Sequence, residues 1–131
     1  MKTLTVIALL LLSVTALNAQ EQHSYFPDGT VKETFWLQDG RTEFITYHTN
    51  GRVEERGAFV NGKPDGIWKH FDENGKVLTR VQFTHGLRNG RCLYTNIDGT
   101  TQYRLEYAQG KLVHGAELNG SGEVIAERGE R

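Results

Sequence analysis

Few side chains in this sequence are of a type and spacing that could carry out a reaction. Beyond residue 19 the serines are Ser24 and Ser121, and neither lies in the Gly-x-Ser-x-Gly turn that presents a nucleophilic hydroxyl. Cys92 is the single cysteine, so no intramolecular disulfide can form, and nothing in the sequence around it lowers a thiol pKa. The five histidines, His23, His48, His70, His85 and His114, form neither an HxH nor an HExxH pair. His48 and His70 each follow a glycine of the repeat by eight residues, which would place them in adjacent hairpins on one face. Glu33, Glu55 and Glu106 are the carboxylates that could supply paired acid–base chemistry, but a single-layer sheet offers no deep cleft to raise a carboxyl pKa. Asp72-Glu73-Asn74-Gly75 lacks the spaced carboxylates of a calcium loop and reads as a turn. Asn119-Gly120-Ser121 fits a glycosylation pattern that a chain rich in Asn-Gly turns produces by coincidence. The expectation is recognition rather than turnover, with no catalytic residue, no metal and no cofactor.

Aromatic side chains are the better candidates for function. Trp36 alternates with Phe35, so it points away from the face that Phe35 shares with Val31 and Leu37. An outward indole beside Tyr47 could anchor a partner, and Trp68 and Phe71 complete the candidate binding set.

What must position these groups is an array. Gly29, Gly51, Gly75 and Gly99 step by 22, 24 and 24 residues, and Gly40, Gly62, Gly86 and Gly110 step in the same way. Gly66 and Gly90 belong to the same lattice, each four residues after a glycine of the second series. Asp-Gly and Asn-Gly pairs at many of these positions are hairpin turns, which need positive φ. Between turns the apolar residues alternate: Val31, Phe35, Leu37; Val53, Gly57, Phe59; Val77, Val81, Phe83; Thr101, Tyr103, Leu105, Tyr107. Shorter return strands, such as Ile67 to Phe71 and Arg91 to Tyr94, complete each hairpin. No helical stripe occurs, and the chain reads as all-β, a row of antiparallel hairpins in one elongated, twisted sheet. Cys92 occupies the slot that Trp68 fills one unit earlier, so it is expected to be buried and unreactive.

The segment Asn61-Gly-Lys-Pro-Asp-Gly-Ile-Trp-Lys-His-Phe-Asp-Glu-Asn-Gly75-Lys-Val resembles the MORN-repeat variant, including the YwqK-type family of antitoxins. The likeness extends over roughly residues 25 to 126, as about four units and a partial fifth. It implies side-by-side hairpins and, in the antitoxin case, neutralisation of a toxin by binding. The first unit departs by carrying Phe44 where the pattern has glycine, and the fourth carries an extra residue before Gly115.

The N-terminal stretch has its own logic. Lys2, the apolar run from Leu4 to Val14 and the ending Leu17-Asn18-Ala19 predict a secretory signal peptide over residues 1–19, shorter than a membrane span. Residues 20–131 then form one repeat domain, secreted or periplasmic, with no transmembrane segment. Losing Lys2 moves the formal charge from -1 to -2. Charges of both signs alternate along the chain, which predicts no basic stripe and no nucleic-acid partner. The function expected is an exported, non-enzymatic module that binds or scaffolds another protein or an envelope component. An antitoxin-like role and an envelope glycan or lipid binder are the alternatives.

Overall fold

The computed structural model describes residues 20–129, so the signal-peptide reading over 1–19 lies outside the described residues. Those residues form strands, turns and short connections. The strands are β1 (Gln22–Tyr25), β2 (Val31–Gln38), β3 (Arg41–Tyr47), β4 (Val53–Val60), β5 (Lys63–Phe71), β6 (Val77–Thr84), β7 (Leu87–Arg88), β8 (Gly90–Thr95), β9 (Thr101–Ala108), β10 (Lys111–Asn119) and β11 (Val124–Gly129). All pair antiparallel in chain order in one open sheet, and β7 adds to β6 where β8 leaves it. Packing between elements runs essentially between neighbouring strands, as an array of hairpins requires.

Two turn types alternate along the sheet. At one rim, Asp39-Gly40, Asn61-Gly62, His85-Gly86 and Gln109-Gly110 each hold two successive residues at positive φ, the two-residue turn whose twist matches a hairpin. The glycines adopt this without strain, whereas His85 at φ 50° and Gln109 at φ 49° do not, and each has its amide held by the preceding unit. Asp65 Oδ2 accepts from His85 N at 3.2 Å, and Asn89 Oδ1 accepts from Gln109 N at 3.0 Å. Backbone bonds from Gly86 N to Pro64 O and from Gly110 N to Arg88 O repeat the latch 24 residues on. Arg41 reaches Asp65 from the other side at 2.9 Å.

At the opposite rim the loops are longer, closed by bonds such as Gly51 N to His48 O and Gly75 N to Asp72 O. Asp28, Asn50, Asp72, Asp98 and Asn119 each accept one or more downstream backbone amides, which fixes the turn. His48 Nε2 donates to Phe71 O at 2.8 Å and Asn50 Nδ2 to Glu73 O at 2.9 Å, tying each loop to the next.

Bulges correct the simple alternation. One extra residue follows each of Val31, Val53, Val77 and Val124 in the ladder. It moves Val31, Val53 and Val77 to the face opposite Phe35, Phe59 and Phe83, where they pair with Tyr25, Tyr47 and Phe71. Larger bulges around Gly66 and Gly90 disturb the ladder within β5 and between β7 and β8. They hid the true extent of the return strands, of which β5 and β10 are nine residues long rather than short. The first hairpin, β2–β3, has continuous register and no bulge. That is why Phe44 replaces glycine there. Gly115 is not at positive φ; a side chain there would press on Leu105.

One face is organised around a row of side chains running across the strands. Phe35 pairs with Phe44, Phe44 with Gly57, Trp68 with Val81, and Cys92 with Leu105, which also faces Gly115. The Trp68 ring lies on Gly57 in the space a Cβ would take, and its Nε1 donates to Ala58 O at 3.1 Å. Phe44, Phe59 and Phe83 surround the indole, with Phe59 edge-on at 4.9 Å between centroids. Such pairs add about 0.5–1.5 kcal/mol beyond area burial. Cys92 is fully buried in this row.

Gly57→Ala is therefore expected to lower stability by about 1–3 kcal/mol, because its methyl and the indole need one volume. In a Trp68→Ala background the same change should be nearly neutral. Urea denaturation of the two single variants and the double variant measures this coupling. Equal losses in both backgrounds would refute it.

Acid should lower the stability of the protein. Thr30 hydroxyl and amide donors hold Asp28 below its usual range, the His85 amide and then Arg41 do so for Asp65, and the Thr100 amide and hydroxyl do so for Asp98. The unfolded chain binds protons first, so this stabilisation is present above about pH 4 and is lost as pH falls through the folded values. Asp65→Asn should flatten the slope of melting temperature against pH below about pH 4; an unchanged slope would exclude Asp65 as a contributor.

Candidate functional site

The structure divides the four candidate binding aromatics between the two faces. Trp68 belongs to the packed row just described. Trp36, Tyr47 and Phe71 lie on the other face: Trp36 pairs with Glu43, Tyr47 continues the alternation of Glu43 and Ile45, and Phe71 that of Ile67 and Lys69. Trp36 and Tyr47 are not neighbours. Three residues of β3 separate Tyr47 from the Glu43 opposite Trp36, and the Trp36 indole N–H instead meets Gln38 Oε1 at 3.3 Å. Tyr47 and Phe71 are equivalent residues of successive units, each half-buried at the foot of a rim loop. Grooves open beside them. One of ≈ 300 Å³ is lined by Tyr47, Phe26, Lys32 and Glu54, and one of ≈ 340 Å³ by Phe71, Ile67, Lys69 and Arg56.

The groups that could do catalysis are tied up locally or kept apart. Glu33 and Glu55 share a face across Thr46, while Glu106 pairs with Arg91 on the other. Glu33 accepts from Ser24 at 3.0 Å, and Glu55 stands 3.8 Å from His70. His48 is in a rim loop bonded to Phe71 O, and His70 is within β5, so the two do not form a pair. Among the described residues no three histidine, cysteine or acidic side chains gather as a metal site would need. Asn119 Oδ1 accepts from the Ser121 amide and hydroxyl and from the Glu123 amide, which accounts for Asn119-Gly-Ser as turn chemistry. Burial raises the Tyr94 pKa, and its hydroxyl lacks a partner inside the sheet.

Strand register groups charges that the linear order keeps apart. Signs alternate along the chain, yet Arg56 pairs with Lys69 and Lys69 with Arg80 across β4, β5 and β6. The row continues through Leu93 to Arg104 on β9. The expectation of no basic stripe is thus corrected: residues distant in sequence become direct cross-strand neighbours. The signal was available, since Arg56, Arg80 and Arg104 recur at 24 residues, the period of the glycines. Three carboxylates of this face are engaged elsewhere, Glu43 with Arg41 at 3.6 Å, Glu106 with Arg91 at 3.7 Å and Glu127 with His114 at 2.7 Å.

No curated protein matches the sequence. Among solved structures, a crystal structure of an S. aureus TarM mutant in complex with fondaparinux, α-GlcNAc-glycerol and UDP superposes with a TM-score of 0.42 and 13% identity. It covers 81% of this chain and 22% of that one. A second TarM crystal structure gives 0.42 and 14% over the same shares, so the chain spans under a quarter of the length of either. Residues 64–85, from the return strand of one hairpin to the tip of the next, match the MORN repeat variant, and the chain therefore carries a MORN-type repeat at its centre.

Proposed function

We propose that this protein is an exported, non-enzymatic repeat module that binds another protein or an envelope component through the sheet face bearing Trp36, Tyr47 and Phe71. The observation that carries this reading is the asymmetry of the two faces. One spends its large side chains on the Phe44–Phe59–Trp68–Phe83 cluster, whereas the other leaves aromatic rings beside open grooves at repeating positions. Aromatic residues at intervals on a preformed surface supply contact area at little cost in ordering. The apolar run from Leu4 to Val14 and the small-residue ending at Ala19 support export. The likeness of residues 61–77 to YwqK-type antitoxins supports a narrower version, in which the bound protein is a toxin.

Crosslinking in the native compartment, followed by purification of the protein, should retain specific partners. Tyr47→Ala with Phe71→Ala should reduce that capture roughly tenfold while leaving the fold intact by circular dichroism. A defined turnover by the purified protein, with no partner retained, would overturn the proposal. For the narrower version, a toxin gene beside this one and growth arrest on deletion are the expected results.

A further inference from the structure

The row Arg56–Lys69–Arg80 breaks a rule that the rest of the sheet obeys. Like charges directly opposite one another on adjacent strands repel, and sheets ordinarily avoid or neutralise them. None of these three side chains, nor Arg104 two strands further on, makes an ion pair or hydrogen bond with a side chain among the described residues, while Glu43, Asp65, Glu106 and Glu127 of the same face are engaged elsewhere and Glu54, two residues before Arg56, is not bonded to it. Arg56 and Arg104 are exposed, and Lys69 and Arg80 are half-buried, their stems beside Ile67 and Leu93. Where a local rule is broken and no ion pair relieves it, a functional site is the expected place.

The geometry points to a binding site for a linear acidic glycan laid across the strands on this face. The inference rests on the reading of the chain as a binding module and names one class of ligand for it. Adjacent strands lie about 4.8 Å apart, so the row presents one cation per step along a line perpendicular to the strands. A polyuronate or sulfated polysaccharide carries its anions at intervals along an extended chain of rings, and arginine grips carboxylate or sulfate with paired N–H donors. The groove of ≈ 340 Å³ bounded by Arg56, Ile67, Lys69 and Phe71 gives a sugar ring an apolar floor between charges. A single nucleic-acid strand fits less well. Its affinity relies on successive bases stacking on aromatic rings, and beyond Phe71 the row runs past aliphatic Leu93. A lipid surface would call for a broad cationic patch rather than a line one residue wide.

Isothermal titration with oligogalacturonate as probe tests this, beside single-stranded DNA of equal charge and phosphatidylserine vesicles. Oligogalacturonate should bind in a salt-sensitive manner. Arg56→Gln with Arg80→Gln should weaken it roughly tenfold or more, and Arg104→Gln alone by less. Arg128→Gln, a change to an exposed arginine on the opposite face, should leave it unchanged. The melting temperature of the double variant should hold or rise, since repulsion is relieved. Absence of oligogalacturonate binding, binding indifferent to the double variant, or tighter binding of DNA or vesicles would each overturn the inference. If the protein still captured its crosslinked partner in the first of those cases, the broader reading as a binding module would survive.

Discussion

A sheet one layer thick has no second layer to close its core, so neighbouring strands must share a fixed gap between them. That constraint governs this protein. Across the central row the space left by one residue is taken by the next: Gly57 gives way to Trp68, Val81 stands beside Cys92, and Leu105 beside Gly115. In this row two large partners meet in the first hairpin, where Phe35 faces Phe44 in unbroken register. The cysteine is therefore best understood as a volume choice. It is small because Val81 already fills the position that glycine vacates one unit earlier.

Hydrogen bonds at the rims convert this row of pairs into a regular array. Asp65 and Asn89 do the same work 24 residues apart, each accepting an amide from the tip of the following hairpin. Because the accepted amides belong to His85 and Gln109, the latch holds in place two residues that would otherwise resist positive φ. Turn, bulge and latch are thus one device: Gly66 and Gly90 bend the return strand so that the residue before each can reach its neighbour.

Much of this was legible in the residue spacing. The all-β class and the hairpin tips follow from the glycine steps and the Asn-Gly and Asp-Gly pairs, because few other residues tolerate the backbone angles required. The faces were not legible. A one-residue bulge leaves no composition signal in a strand, yet it reverses every side chain beyond it, which is why Val31 and Phe35 were expected on one face and lie on two. The basic row was missed for a different reason. Linear charge alternation says nothing about which residues meet across strands, and only the 24-residue recurrence of Arg56, Arg80 and Arg104 encodes their alignment.

The latches have an evolutionary corollary. Every bond that joins successive units spans one repeat or slightly less, and no substantial packing reaches beyond the adjoining strand. An in-frame duplication of 24 codons within the central units would therefore recreate at both seams the neighbours each residue already had, wherever in the unit it began. Length in such a chain is free to drift by whole units, and the number of cations along the outer face would drift with it.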